Sequence, residues 1–291
     1  MENSSRSSFV FFYDGTKQGI TVTVEKIVRN GLDGGKISFL YEGSDASSIN
    51  GYVSDDVYVI EFKAENAAEY IAAISSIGGE AASNYALPEI SEWTFTIEKR
   101  AVEIQWEEET ERIYKKDYYR RNAFIANLVE GDEVPLTYRT SGKGYSSEDN
   151  SAMAAGTYVT TVTSVLNENY TLENGIGLSV EWSILPKEIS LENIYWRRDG
   201  TEIFEVEYSA KPYSVTAYAY DGAVDASDGL VYEGDSVSFT YFGEVIEQFG
   251  LSSISEATAV NAGRYAINVI GTNNSDYTVK GTPSVILTVS Q

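Results

Sequence analysis

The chain has 291 residues, no cysteine and no histidine, and 44 acidic against 21 basic side chains, for a net charge of −23. That excludes disulfides, thiolate zinc sites, thiol nucleophiles and Ser-His or Cys-His catalytic pairs, and so acidic a surface repels nucleic-acid phosphates and anionic lipid. Hydrophobic residues make up 43% of the chain, with 22 tyrosines and 5 prolines, a composition for packed cores built from strands.

The amino end, "MENSSRSS", has no apolar run of the kind a signal peptide carries, and no stretch approaches the ~20 apolar residues of a membrane helix. Membrane insertion is not expected. The first recognisable phrase is "YDGTKQGITV" from Tyr13, followed by "GGKISFLY" (34–41). Next comes "NAAEYIAAISSIGGEAASNYAL" (66–87), in which Tyr70, Ala72 and Ile74 share one face at period two. Its alanines favour helix, but register against two later cousins predicts a strand. "EWTFTIEKR" from Glu92 puts Trp93, Phe95 and Ile97 in another inward row.

The same order then recurs. The middle of the chain opens on "EEETERIYKKDYYRRN" and a distorted opening phrase, "DYYRRNAFIA" from Asp117. It continues through "GDEVPLTY" (131–138), "AAGTYVTTVTSVLNENYTL" (154–172) and "EWSILPKE" from Glu181. The last third has "YSAKPYSVTA" from Tyr208, "GDSVSFTY" (234–241), "NAGRYAINVIGTNNSDYTV" (261–279) and "ILTVSQ" from Ile286, with Leu287 where Trp93 and Trp182 stand. Tyr158, Thr160 and Val162, and Tyr265, Ile267 and Val269, repeat the inward row. "SSISEATAV" from Ser252 reads as a short helix by its alanines.

Self-similarity in fixed order marks a repeat protein. The copies fall at 1–100, 101–188 and 189–291. Short strands with regular Gly, Asn, Asp and Ser turns predict a β-sandwich in each copy. The joins "TIEKRAVEIQW" and "ILPKEISLENIYW" read as strand running into strand, without a flexible linker. The expected architecture is all-β, with three tandem sandwich domains forming an elongated rod.

The ordered set "YDGT", "GDxVxxTY", "NAGxY…NY" and "EWxI…K" resembles the MBG or YDG repeats of bacterial surface proteins, over nearly the whole chain. The resemblance implies immunoglobulin-like sandwiches arrayed in large exported adhesins and cell-wall proteins, so that this chain is a monomeric segment of a longer one, displayed extracellularly. The middle copy lacks a clean "YDG", and the first lacks the strand expected before Tyr13.

No motif converges on a reaction: 44 acids make any carboxylate pairing easy to draw, and no phosphate loop occurs. The chain is read as non-catalytic: a rigid stalk or adhesin region, alternatively a module binding a host or cell-surface glycan or protein, or the accessory region of a surface enzyme. Repeated tyrosines (Tyr70, Tyr85, Tyr158, Tyr170, Tyr265 and Tyr277) are expected in the scaffold, with hydroxyls bonding nearby backbone as in a tyrosine corner. Residues unique to one copy are the binding candidates: Tyr114, Tyr118, Tyr119, Arg120 and Arg121, in types enriched at hot spots, set against a charged edge strand that blocks pairing. Asp221, Asp225 and Asp228 in "YDGAVDASDG" form a candidate calcium loop of oxygen ligands, set against an ordinary polar turn. Lys99 and Lys187 occupy matching places for an internal isopeptide bond, set against lysines on strand edges.

Overall fold

The computed structural model describes residues 9–24, 37–43, 48–54, 57–142, 144–219, 231–232, 234–250 and 253–291. They are almost wholly strand, with two single-turn 3₁₀ segments and no α-helix among them. The chain forms two compact units. One comprises Met1–Trp106, Ala123–Tyr138 and Thr161–Ser179, and the other Glu107–Asn122, Arg139–Thr160 and Val180–Gln291. The dividing line passes through the middle copy, where the strands Leu136–Gly142 and Gly156–Val165 contribute to both units.

In the first unit, residues 9–98 form a two-sheet sandwich. One sheet runs Phe9–Phe12, Glu92–Glu98, Ala68–Gly78, Ser38–Gly43, and the other Gln18–Val24, Val57–Ala64, Ser48–Ser54. Alternation selects the inward faces. Tyr70, Ala72 and Ile74 from one sheet meet Ile60 and Phe62 from the other, with Phe95 and Ile97 beside them, all buried. The alanine-rich segment is a strand, paired antiparallel from Ala68 opposite Ile97 to Ala73 opposite Glu92. Tertiary pairing overrides its helix propensity. The same unit contains a three-stranded sheet, with Arg100–Trp106 between Ala123–Ile125 and Tyr170–Ile176.

In the second unit, residues 194–291 form another sandwich. Its sheets run Glu205–Glu207, Ser284–Ser290, Gly263–Thr272, Phe239–Gln248 and Ile194–Arg198, Tyr213–Ala219, Thr258–Ala259, Ile254–Ser255. Tyr265, Ile267, Leu287, Val289 and Val215 fill its core. The segment expected as a helix, "SSISEATAV", is instead a tight hairpin, Ile254–Ser255 against Thr258–Ala259, with Glu256 at φ 51° in the turn. Two-residue pairings with a left-handed turn residue satisfy the backbone locally, so alanine content does not decide the segment.

Equivalent backbone positions relate the three copies. Tyr13, Tyr114 and Tyr208 donate their backbone N–H to Glu98, Leu185 and Ser290, at 2.9, 2.8 and 2.9 Å. Two residues further on, Gly15, Lys116 and Ala210 all hold positive φ, at 78°, 60° and 56°. The opening phrase of the middle copy is therefore "YKKDYYRRN" from Tyr114, three residues earlier than the alignment from Asp117 puts it. The strand Phe9–Phe12, parallel to Glu92–Glu98, is the counterpart of Glu205–Glu207 in the third copy and not of "KEISLENIYW", the stretch whose match the first copy is expected to lack. Lys187 and Arg100 are the matching pair, opposite Tyr277 and Tyr170 respectively in parallel ladders. Lys99 is exposed and has no such place, which removes the symmetry behind the isopeptide pairing.

Candidate functional site

The five binding candidates of the middle copy lie on one short stretch of the second unit, and folding separates them. Arg121 is the structural equivalent of Ile20 and Val215, both buried core residues, and is itself 1% exposed. Its guanidinium donates to the carbonyls of Glu107 and Glu109. Burial lowers its pKa, against the opposing pull of Glu107. Tyr114 is 4% exposed. Burial therefore withdraws Arg121 and Tyr114 from any surface a ligand touches. Tyr119 is half-buried and donates its hydroxyl to the Ile113 carbonyl at 2.7 Å. Tyr213 does the same to Glu207 at 2.7 Å, and the Gln18 side-chain amide does so to Phe12 at 2.8 Å. It is thus a strut that every copy carries.

Tyr118 and Arg120 remain at the surface. Arg120 is held by Asp149, at 2.9 and 3.0 Å, and by the Asn150 side-chain carbonyl at 3.1 Å. Three cations of "EEETERIYKKDYYRRN" are ion-paired, two within the phrase and one beyond it: Arg112 with Glu109, Lys115 with Asp117, and Lys116 with the distant Asp235. Lys115 also lies 4.4 Å over the Tyr119 ring. Asp221, Asp225 and Asp228 lie outside the described residues. Among the described residues no cluster of three or more acidic side chains is arranged to hold a metal ion.

What sequence reasoning missed is a carboxylate clasp that occurs twice. In the first unit, Asp132 accepts the hydroxyls of Tyr13 at 2.8 Å and Tyr170 at 2.7 Å, while the Val129 N–H donates to Tyr170 at 2.9 Å. In the second, Asp235 accepts Tyr114 at 2.9 Å and Tyr277 at 2.7 Å, and the Tyr232 N–H donates to Tyr277 at 2.9 Å. The paired rings meet edge to face, at 5.6 and 5.5 Å between centroids. An Asx side chain secures each joint again: Asn169 accepts the Ala67 N–H at 2.8 Å, and Asp276 accepts that of Ala155 at 2.6 Å. Each clasp joins the opening tyrosine of one copy to the "GD" turn and "NY" or "DY" corner of the next. The signal was available in "GDEV" and "GDSV", but a turn aspartate looks like ordinary turn chemistry until its partner, more than a hundred residues away, is known.

The electrostatics follow from shared burial. Burial by itself would raise the Asp235 carboxyl, but hydrogen bonds from Lys116, Tyr277 and Tyr114 outweigh it and hold the group below its usual 3.8. Burial, then the neighbouring carboxylate, raises Tyr277 and Tyr114. Burial pushes Tyr170 up to about 12, with Asp132 adding to it.

The other expected tyrosines are scaffold with one exception. Tyr70, Tyr158 and Tyr265 are buried and donate to carbonyls four residues back, Asn66, Ala154 and Asn261, at 2.7, 2.7 and 2.6 Å. Tyr85 is only half-buried. It lines an apolar cleft of about 400 Å³ with Ile37, Phe39, Ile74, Leu87 and Trp93. In the first copy, Gly35 stands where Asp132 and Asp235 stand in the others.

No protein-family model matches the chain, and no curated protein matches it. Among solved structures it is similar to invasin, "a bacterial integrin-binding protein", at 11% identity and a TM-score of 0.34, over 96% of this chain and 58% of that one. It is also similar to immunoglobulin domains 1–5 of Sidekick-1, at 9% identity and TM-score 0.31, over 99% and 58%. A third likeness is to the S-layer protein rSbsC, at 14% identity and TM-score 0.23, over 98% and 40%. The chain thus spans 58% of the length of the invasin structure. At these scores the likenesses carry no argument about function.

Proposed function

We propose that the chain is a non-catalytic, immunoglobulin-like repeat segment of a bacterial surface protein, serving as a stiff spacer that bears tension. One observation carries this reading. In every copy the short strand just before the opening tyrosine is paired parallel with the strand that leaves: Phe9–Phe12 with Phe95–Glu98, Glu111–Ile113 with Ser183–Leu185, and Glu205–Glu207 with Thr288–Ser290. Tension along such a pair loads its hydrogen bonds together in shear rather than unzipping them one at a time. Linkerless joins and clasped tyrosines pass that tension from copy to copy. Surface display rests on the resemblance of the repeated phrases. It suits a chain that folds without disulfides and carries a net charge of −23.

Single-molecule pulling tests the reading. A spacer gives discrete unfolding peaks, one per copy, at forces above those of sandwiches whose end strands unzip. Gradual extension at low force, without peaks, would exclude it.

A second reading, a module for a host or cell-surface glycan or protein, has a narrower support: Tyr118, 55% exposed, stands beside the Lys115–Tyr119 pair on the surface. Glycan-array binding abolished by Tyr118→Ala would favour it, and an array without signal would leave the spacer alone.

A further inference from the structure

The third opening tyrosine has the local structure of the first two but not their clasp. Tyr208 donates its N–H to the departing strand as Tyr13 and Tyr114 do. Ala210 holds φ 56°, the left-handed turn that Gly15 and Lys116 adopt, although a side chain is strained there. Tyr213 braces the loop through the Glu207 carbonyl just as Tyr119 braces its own through Ile113. The turn is therefore formed and held. Yet Tyr208 is 50% exposed where Tyr13 is 3% and Tyr114 is 4%, and its hydroxyl meets no partner among the described residues.

We infer that Tyr208 is the plug of a third clasp, and that its occupant is a further sandwich repeat of this kind presenting an aspartate in a "GD" turn beside a corner tyrosine. This rests on the spacer reading above. Both docked equivalents in the chain take that chemistry: a carboxylate that two phenols share, with the second phenol held by a backbone N–H. The first repeat of a second copy of this chain does not supply it. Gly35 replaces the aspartate there, and Asp132 and Asp235 are already occupied. The clasp is directional, with the tyrosine always in the copy that precedes and the aspartate in the copy that follows.

The register of a third joint is set by the first two. Arg100 and Lys187 come two residues after Glu98 and Leu185, the acceptors of the opening N–H, so Gln291 stands one residue before the equivalent place. An extended chain is made by appending a second Lys187–Gln291 segment directly after Gln291, with Tyr208→Phe in the appended segment so that only the parent Tyr208 is read. Tyrosine nitration by tetranitromethane, read peptide by peptide by mass spectrometry, compares the 291-residue chain with the extended one. In the original chain Tyr208 reacts fast and Tyr13 and Tyr114 slowly. In the extended chain Tyr208 slows by about tenfold or more, the protection a closed local contact confers. With Asp235→Gly in the appended segment, that protection is lost. Tyr208 nitrating equally fast in both chains, while the core Tyr265, carried by both repeats and 0% exposed, stays slow throughout and so reports a folded appended repeat, would overturn the inference and leave the spacer reading standing. Independently of the appended repeat, Asp235→Gly in the original chain should bring Tyr114 toward the reactivity of Tyr208. Tyr114 remaining as slow as in the parent would likewise overturn it.

Discussion

The residues that make the middle copy look unusual in sequence serve its interior. In the second unit a relay of hydrogen bonds runs from the Trp182 indole N–H to the Thr160 hydroxyl at 2.9 Å, from Thr160 to Thr140 at 2.9 Å, and from Thr140 to the Asp149 carbonyl at 2.7 Å. Thr140, Thr160 and Trp182 are all buried. Thr160 takes the place of Ala72 and Ile267 in the other copies, so the relay is specific to this one. Thr160→Val keeps the shape but strands the indole N–H, and should cost about 1–3 kcal/mol in urea unfolding; a change within error would show that water satisfies the indole. The clasps give a pH signature. Asp235 is held below 3.8 in the folded state, so its contribution is present above that value and is lost as pH falls through the folded value. The clasp tyrosines are raised above 10, so theirs is intact below pH 10 and is lost as pH rises through about 12 for Tyr170. Unfolding midpoints followed from pH about 2 to 7 should lose their acid slope in part in Asp235→Asn, and an unchanged slope would assign acid sensitivity to other carboxylates.

Strands and turns divide into those that pattern foretold and those that contact decided. The inward rows were legible: Tyr70, Ala72, Ile74, Tyr265, Ile267 and Val269 alternate, and all are buried. The strand at Ala68–Gly78 was found only by register against its cousins, since alanine alone reads as helix. At Ile254–Ala259 the alanines mislead in the same way, because a hairpin stands there. The opening phrase of the middle copy was displaced because "DYYRRN" offers tyrosines in plenty. Only the backbone bond from Tyr114 to Leu185 and the left-handed Lys116 fix its register. In the displaced register Arg121 reads as a surface residue. It fills the place of Ile20 and Val215, its charge answered by two carbonyls through the fork of its guanidinium. Arg121→Lys cannot bridge both carbonyls and should destabilise by about 1–3 kcal/mol in denaturant melts, whereas a neutral outcome would mean one carbonyl suffices. The short parallel strand Glu205–Glu207 is the element on which tension acts in the third copy. Val206→Pro removes a backbone donor there. It should abolish one unfolding peak in pulling traces and leave the others, and an unaltered set of peaks would locate the resistance elsewhere.

Across the chain, the two clasps make each joint a small core rather than a hinge, and within each compact unit the joint is as buried as the sandwich beside it: Tyr13 and Tyr170 are 3% and 2% exposed, Tyr114 and Tyr277 each 4%. The corner tyrosines therefore do more than the scaffold role expected of them. The sequence was enough to establish strand content, the inward faces and the repeated order of phrases, because side-chain alternation and turn chemistry are local properties that a repeat displays several times over. It was also enough to deny the chain thiol and imidazole chemistry. Tertiary contact alone decided which tyrosines plug a neighbouring copy, which aspartate receives them and which charged residues turn inward. Those pairings join residues as far apart as Tyr13 and Asp132, or Tyr114 and Asp235. Nothing in the local period of a strand encodes a partner at that separation. A hydroxyl and a carboxylate acquire meaning only when burial removes the water that would otherwise satisfy both.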